Sequence, residues 1–484
     1  MQIPEQHRQH FIGGAWRAPA SGTYRPAKSP GTGETIGEVA EGDRQDAVAA
    51  IEAAKAGQDA LAAMTRWQRA DLCHRVAERI EAQKNYLAYI LSLEQGKPLK
   101  SEAYGEIEAA ATGFREAAEL FKFMNGDFIA AETPGKRVIS YRVARGIYAV
   151  VTPWNFPINI PVEYLAPCLA AGNAVVWAPA PTTSLCASAL MQCIAEAGLP
   201  DGAVNLVHGP GAVVGDEFVS NPGTHGVGFT GSPATGAKIA QRGAGKPMLL
   251  ELGGNGPVIV LDDADVERAA GAAADGAFFN AGQVCAATGR ILCTRKTYEE
   301  LAHHLTVAAG ERVAGDPLLS ETTIGPLNNQ AVLTKVEAHV ADGLARGGKL
   351  LAGGRRRPEL GSDLFYAPTV IADLGEDADL NRAETFGPVA PIIVCKDEDD
   401  LIRVANGAGH GLAAGIFSRD LAKAFRFAET VQSGLVNING PSHYWELHIP
   451  FGGASGKQSG LGRLGGRHTL EAVTDVKTIS YDLG

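Results

Sequence analysis

Metal-ligand and disulfide spacings are what this sequence lacks most plainly. Its seven cysteines, at positions 73, 168, 186, 193, 285, 293 and 395, form no CxxC pair. An odd number at wide intervals excludes a disulfide framework and the usual zinc patterns. The histidines add no HExxH: His303 and His304 are adjacent, and His443 and His448 stand five apart in a loop-like stretch. No bound metal is expected, and a reducing cytoplasm is the expected setting. No apolar run approaches the ~18 residues of a membrane span. The opening MQIPEQHRQHFIGGAW lacks a basic region followed by an apolar one, so no signal peptide is expected. A net charge of -11 without a long basic run disfavours nucleic acid and anionic membrane as partners. No internal repeat or low-complexity linker is present.

The chain does carry the composition of an ordinary globular protein, with 45% hydrophobic and 20% charged residues, and 59 glycines for tight loops. At 484 residues it exceeds one core and should divide into two or three domains. Apolar residues at helical spacing mark 43–63, 66–92 and 101–124. The β-branched and aromatic alternation of 137–153 reads as paired strands. Short apolar runs at 173–179, 203–209, 226–231, 248–254 and 257–263 then alternate with helical blocks. A second such series follows Cys285, in GRILCTR, YAPTVIAD, PVAPIIVCK, LAAGIFS and SGLVNING. Strands separated by helices imply right-handed crossovers and parallel sheets covered on both faces. The Gly253-Gly254 pair places a boundary near 250–256.

Four stretches carry chemistry. Cys285 sits among small residues in FFNAGQVCAATGR; such a thiol is accessible, and becomes a nucleophile where donors or cations lower its pKa. In VTPWNFPINI two prolines hold Asn155 in a rigid turn after an apolar strand, either capping its own turn or serving as an oxyanion donor. GFTGSPATG places Gly231 and Ser232 between a strand and a helix, where free N–H groups suit a phosphate, although the spacing is not GxGxxG. LLELGGNGP ends an apolar strand on Glu251, a candidate base or an ordinary salt-bridge carboxylate, and AETFGPVAP adds Glu384 before an aromatic ring.

TPWNFP, FTGS, ELGG, GQ-x-C and ETFGPV, in this order, resemble the aldehyde dehydrogenase superfamily. The likeness runs from FIGGAW at 11–16 to PFGGASGKQSGLGR at 450–463. It implies an α/β fold of a Rossmann-like dinucleotide-binding domain, an α/β catalytic domain and a small β oligomerisation element. It implies that Cys285 attacks an aldehyde, that Asn155 and the Cys285 backbone N–H form the oxyanion hole, and that Glu251 activates the hydrolytic water. Glu384, Phe386, Gly231, Ser232, Thr152 and Trp154 would meet an NAD(P) cofactor. The implied layout is 1–250 for the cofactor domain, with 125–145 in the oligomerisation element, then 251–440 for the catalytic domain. Residues 441–484 would return to the cofactor domain and end in an oligomerisation strand, giving a homodimer or homotetramer.

Three departures qualify the likeness. The family's K-P-x-E is here Ala178-Pro179-Ala180-Pro181; a glutamate after GR is Leu464; and the first Glu of EEIFGPV is Ala383. Lacking a lysine to attract a 2′-phosphate, the chain is expected to favour NAD modestly over NADP. Relatives acting on succinate semialdehyde place an arginine six residues after PWNFP, where this chain has Glu163. With Tyr444, Trp445, His448 and Phe451 as further candidate pocket residues, the expectation is an aromatic or medium-length neutral aldehyde. A dicarboxylic semialdehyde, with His443 or His448 as the anion contact, is the alternative. A CoA-acylating enzyme would not need Glu251, and a purely structural protein would not need Cys285, Asn155 and Glu251 together.

Overall fold

A computed structural model describes residues 2–484. Its helices begin where side chains can satisfy free N–H groups: Asp43 and Asp46 form a capping box at Arg44–Ala63, and Thr65 and Gln68 form another at Arg66–Ala82. The periodic stretch expected over 66–92 is two helices, because Gln83 leaves the helical region at ψ 11° and a new helix, Lys84–Gln95, starts behind it. Gly96, at φ 97°, ends that helix in the left-handed conformation glycine adopts cheaply. Over 101–124 the α-helix proper is Tyr104–Lys122, entered through one wider turn at Leu99–Ala103.

Two large sheets organise the chain, one of eight strands and one of seven. In the first, Met248–Glu251, Gly226–Thr230, Ile147–Thr152, Ala174–Pro179 and Val204–Leu206 lie side by side and parallel. Antiparallel strands close its edges, Gly460–Leu461 at one end and His10–Ile12 with Ala15–Arg17 at the other. The second sheet runs parallel from Thr369–Ala372 through Val389–Cys395, Thr288–Thr294, Gly256–Val260 and Ala413–Phe417 to Leu435–Ile438. Both sheets have helices on their faces, so the central strands are buried throughout except at Val151.

The pairing expected within 137–153 is corrected. Lys136–Ala144 pairs with Thr474–Asp482 and Asp127–Ile129 in a separate three-stranded sheet, whereas Ile147–Thr152 enters the first large sheet. Asn173 divides them: its side-chain oxygen takes the N–H groups of Arg145 and Gly146, and Gly146 turns at φ 125°. One strand is thereby released to the surface while the next is buried.

Apolar burial follows the sheets. One cluster gathers residues from Phe11 to Leu252 together with Leu464, Leu470 and Val473; a second runs from Val258 to Val431. A small third cluster of Val284, Ala286, Leu412, Ala413 and Phe451 lies immediately around Cys285.

Candidate active site

The chain order of the first sheet reverses between Ile147–Thr152 and Gly226–Thr230: earlier crossovers add strands on one side, later ones on the other. Ligands of open α/β sheets bind beyond the carboxyl ends of strands at such a point. A cavity of about 210 Å³ opens there, lined by Trp154, Asn155, Gly231, Ser232, Glu384 and Phe386 among others. The helix Pro233–Arg242 starts at its rim, capped by Ser232, and offers the positive end of its dipole to a pyrophosphate. Gly253 keeps the floor open, since a Cβ there would lie 2.9 Å from both carboxylate oxygens of Glu384. Phe386, held at φ 61°, sets its ring edge-on to Trp154 at 5.6 Å. These residues fit a dinucleotide.

A second cavity, about 570 Å³, lies on the other side of Cys285; Cys285 and Thr230 line both spaces. Its wall includes Phe156, Glu163, Glu251, Phe279, Trp445 and Phe451. Cys285 therefore stands where a nucleotide crevice and an aromatic cavity meet.

The loop that delivers Cys285 is strained. Asn280, Ala281 and Gly282 all have positive φ, at 49°, 53° and 72°. Two non-glycine residues in that region cost roughly 1–3 kcal/mol each, and persist only where neighbours over-determine them. Here Glu102 accepts the Asn280 backbone N–H at 3.0 Å, and Gln95 donates to the Asn280 side-chain oxygen at 3.1 Å. The Asn280 amide then donates to the backbone oxygen of Asn155 at 3.0 Å, tying the two site loops together. Asn155 itself donates through Nδ2 to the Gln283 carbonyl at 3.0 Å. Gly254 permits the close approach of the chain, for a Cβ there would lie 2.1 Å from the Cys285 carbonyl oxygen.

Behind the Asn155 turn sits a buried ion pair. Lys97 Nζ contacts Glu106, donates to the Asn155 carbonyl at 3.1 Å and lies 3.5 Å over the Phe156 ring. The other Glu106 oxygen accepts the backbone N–H groups of Ile158 and Asn159 at 2.9 and 3.1 Å. Lys97, Glu102, Glu106, Asn280 and Gln283 thus shape the site; Gln283 belongs to the GQ-x-C motif and Asn280 to the stretch before it, whereas no motif pointed to Lys97, Glu102 or Glu106. Lys97 stands between Gly96 and Pro98 in a polar run, EQGKPLKSE, that carries no signal of its burial.

The field at Cys285 is the reverse of that expected for an activated thiol. Burial, with the carboxyl groups of Glu384, Glu251 and Glu163, pushes its pKa up. Glu251 is 2% exposed and both its oxygens lack a hydrogen-bond partner among the described residues. Burial and the nearby Glu163 raise its pKa well above the carboxylate range. Glu384 is also raised by burial, although Lys335 lies 4.0 Å away and the Gly254 N–H donates to it at 2.9 Å. The thiol is thus protonated, with a poorly solvated base lining the same cavity.

Two expected contacts are corrected. Thr152 does not reach the nucleotide crevice; its hydroxyl, buried, accepts from Trp177 Nε1 at 2.9 Å. His448 lies outside the aromatic cavity, 3.6 Å from Glu116 and 3.7 Å from Glu446. His443 does line it, stacked on Phe279 at 5.5 Å.

A two-sided site of this kind, with a nucleotide crevice at a switch point meeting a cysteine, defines a nicotinamide-dependent dehydrogenase. The chain belongs to the aldehyde dehydrogenase family, whose model matches residues 16–479. It is 37% identical over 478 residues to an NADP(+) succinate-semialdehyde dehydrogenase of Escherichia coli, covering 98% of each chain. A glutarate-semialdehyde dehydrogenase of Pseudomonas aeruginosa is 36% identical, over 97% of this chain and 96% of that one. Among solved structures, betaine aldehyde dehydrogenase of Staphylococcus aureus with NAD+ superposes at TM-score 0.95 and 31% identity, over 99% of this chain and 95% of the other. The protein is an NAD(P)-dependent aldehyde dehydrogenase.

Proposed function

We propose that the chain oxidises a short aldehyde with a charged tail to its carboxylic acid, with Cys285 as the nucleophile. The observation that carries this reading is the position of Cys285 on the shared wall of the two cavities, with Asn155 and Glu251 beside it. The thiol adds to the carbonyl carbon and gives a thiohemiacetal; its proton goes to Glu251, the raised carboxylate lining the same cavity. The second Nδ2 hydrogen of Asn155, not used by Gln283, and the Cys285 backbone N–H stabilise the oxyanion. A nicotinamide cofactor in the crevice, with Ser232 at its pyrophosphate and Glu384 and Phe386 beside its nicotinamide ribose, would accept the hydride. Collapse of the oxyanion breaks the C–H bond, expels its hydride to that acceptor and leaves a thioester on Cys285. Once that first proton has passed to solvent, Glu251 takes another from water, which attacks the thioester carbonyl; the C–S bond breaks, the acid leaves and Glu251 returns the proton to the Cys285 thiolate.

Relatives named for succinate and glutarate semialdehyde support a charged short-chain substrate over the aromatic or medium-length neutral aldehyde expected from the rings alone. A neighbour named for betaine aldehyde extends the range of tails to the opposite sign. The lean to NAD gives way to either nicotinamide: Ala178 and Pro181 neither attract nor repel a 2′-phosphate, and the relatives include one named for NADP(+) and a structure solved with NAD+. We also assign 1–250 and 441–484 to the cofactor half, 251–440 to the catalytic half, and the sheet of 127–129, 136–144 and 474–482 to assembly of a homo-oligomer. The test is an aldehyde panel with NAD and NADP, followed at the absorbance of the reduced cofactor, against Cys285→Ser. The variant should fold, bind cofactor and turn over nothing; wild-type rates in it would remove Cys285 from the reaction.

A further inference from the structure

The cavity that faces Cys285 is acidic and aromatic, and among the described residues no lysine or arginine lines it. Glu102, Glu106, Glu163, Glu251 and Asp275 all reach its wall. Three of them have structural partners. Glu106 is paired with Lys97, Glu102 holds the Asn280 N–H, and Asp275 lies 3.4 Å from both Arg312 and His443. Glu163 has only the Asn159 amide, which donates to its Oε1 at 3.0 Å, and no cationic partner among the described residues. That same amide leaves Asn159 Oδ1 unpartnered, as are both oxygens of the buried Glu251. His443 Nδ1 is unpartnered too, and is donor or acceptor according to its tautomer. The other unpartnered side-chain atoms of this wall are carboxyl and amide oxygens, with no cation among them. Around them Phe156, Phe279, Tyr444, Trp445 and Phe451 supply aromatic surface, whose faces attract cations.

We infer that the far end of the aldehyde is an alkylammonium, held by Glu163 and the acceptor oxygens against the aromatic wall, the reverse in sign of a semialdehyde's carboxylate. This rests on Cys285 being the thiol that attacks the aldehyde, because only then does the tail lie in this cavity. In the empty cavity, burial and Glu106 raise Glu163 well above the carboxylate range. An ammonium beside it restores the ionised form; a carboxylate tail would instead bring one more negative charge to a wall with no lysine or arginine. Lys97 cannot serve as the anion anchor, since its Nζ is taken by Glu106 and the Asn155 carbonyl.

The test separates charge from shape. 3-Aminopropanal and butanal have nearly the same size and differ by an ammonium for a methyl, and succinate semialdehyde supplies the anion. The expected kcat/KM is at least tenfold higher for 3-aminopropanal than for butanal, and higher again than for succinate semialdehyde. Glu163→Gln should cut the aminopropanal-to-butanal ratio tenfold or more, and Glu163→Arg should turn the preference towards succinate semialdehyde. A wild-type preference for succinate semialdehyde, or a ratio indifferent to Glu163→Gln, overturns the inference and leaves aldehyde oxidation standing. If no aldehyde is oxidised, the reaction itself fails. Calorimetric titration with 3-aminopropan-1-ol against butan-1-ol then still reads the charge preference: tighter binding of the amine supports the inference, and equal or weaker binding overturns it.

Discussion

A thiol whose carboxylate neighbours raise its pKa is a poor nucleophile until one of them takes its proton, so the behaviour of Glu251 should dominate the pH profile. Its pKa is raised, so the carboxyl stays protonated at pH values where an exposed one has ionised. The base form appears only as pH increases, and the activity of the wild-type enzyme should therefore climb with pH along a limb displaced upward from the usual carboxylate range. Glu251→Gln should abolish that limb. Because Glu251 takes the thiol proton as well as the water proton, the variant should release far less than one reduced cofactor per site in rapid mixing. A full burst followed by a stall as the thioester would leave Glu251 only the water step; unchanged steady-state turnover would exclude Glu251 from the reaction.

The loop 280–282 shows how a single buried carboxylate sets the geometry of a whole segment. Glu102, raised to about 7 by burial, accepts the N–H of the first left-handed residue with both oxygens, at 3.1 and 3.0 Å. Glu102→Ala leaves that N–H unpaired, at a cost of about 1–3 kcal/mol, and lets Cys285 drift from Asn155. A displacement near 1 Å costs on the order of a hundredfold in rate. The expected pattern is a fall in kcat larger than the change in KM, with Glu102→Gln, which still accepts the bond, recovering most of it. Urea unfolding and steady-state kinetics on both variants check it. The strand Ala174–Pro179 gives a second element-scale prediction. Ala178 is 3% exposed, so Ala178→Lys must lead its ammonium out along the strand end. It should improve NADP use more than NAD use and lower the melting temperature. No change in the NADP-to-NAD ratio would show that the 2′-phosphate lies elsewhere.

Across the whole molecule, the three-stranded sheet stands apart from both cores and carries exposed apolar side chains. Phe128, Ile479 and Tyr481 are 67%, 39% and 41% exposed, on one face of the strands at its two edges. Open edges and an apolar face of this kind are usually covered by another chain. Light scattering should give the mass of a dimer or tetramer, and Ile479→Asp with Tyr481→Asp should reduce it. A wild-type monomer, or an assembly unaffected by the pair, would dismiss the sheet as the interface. No helix among the described residues is long and apolar enough to cross a membrane.

The sequence by itself determined the α/β class, the family and the stretches that carry Cys285, Asn155 and Glu251. Those features are local: an apolar run reads as a buried strand, and Pro153-Trp154-Asn155-Phe156-Pro157 stiffens one turn wherever that turn lies. Tertiary structure decided everything that depends on partners distant in the chain. The run 137–153 alternates throughout, but Asn173, 28 residues from Arg145, splits it between two sheets. Thr152 and His448 looked like site residues by position, yet Trp177 and two glutamates hold them elsewhere. Lys97 and Glu102 gave little or no signal, because a buried charge is defined by what surrounds it. The sign of the field at Cys285 was decided there too, by carboxylates from three separate segments that only folding brings within one low-dielectric space.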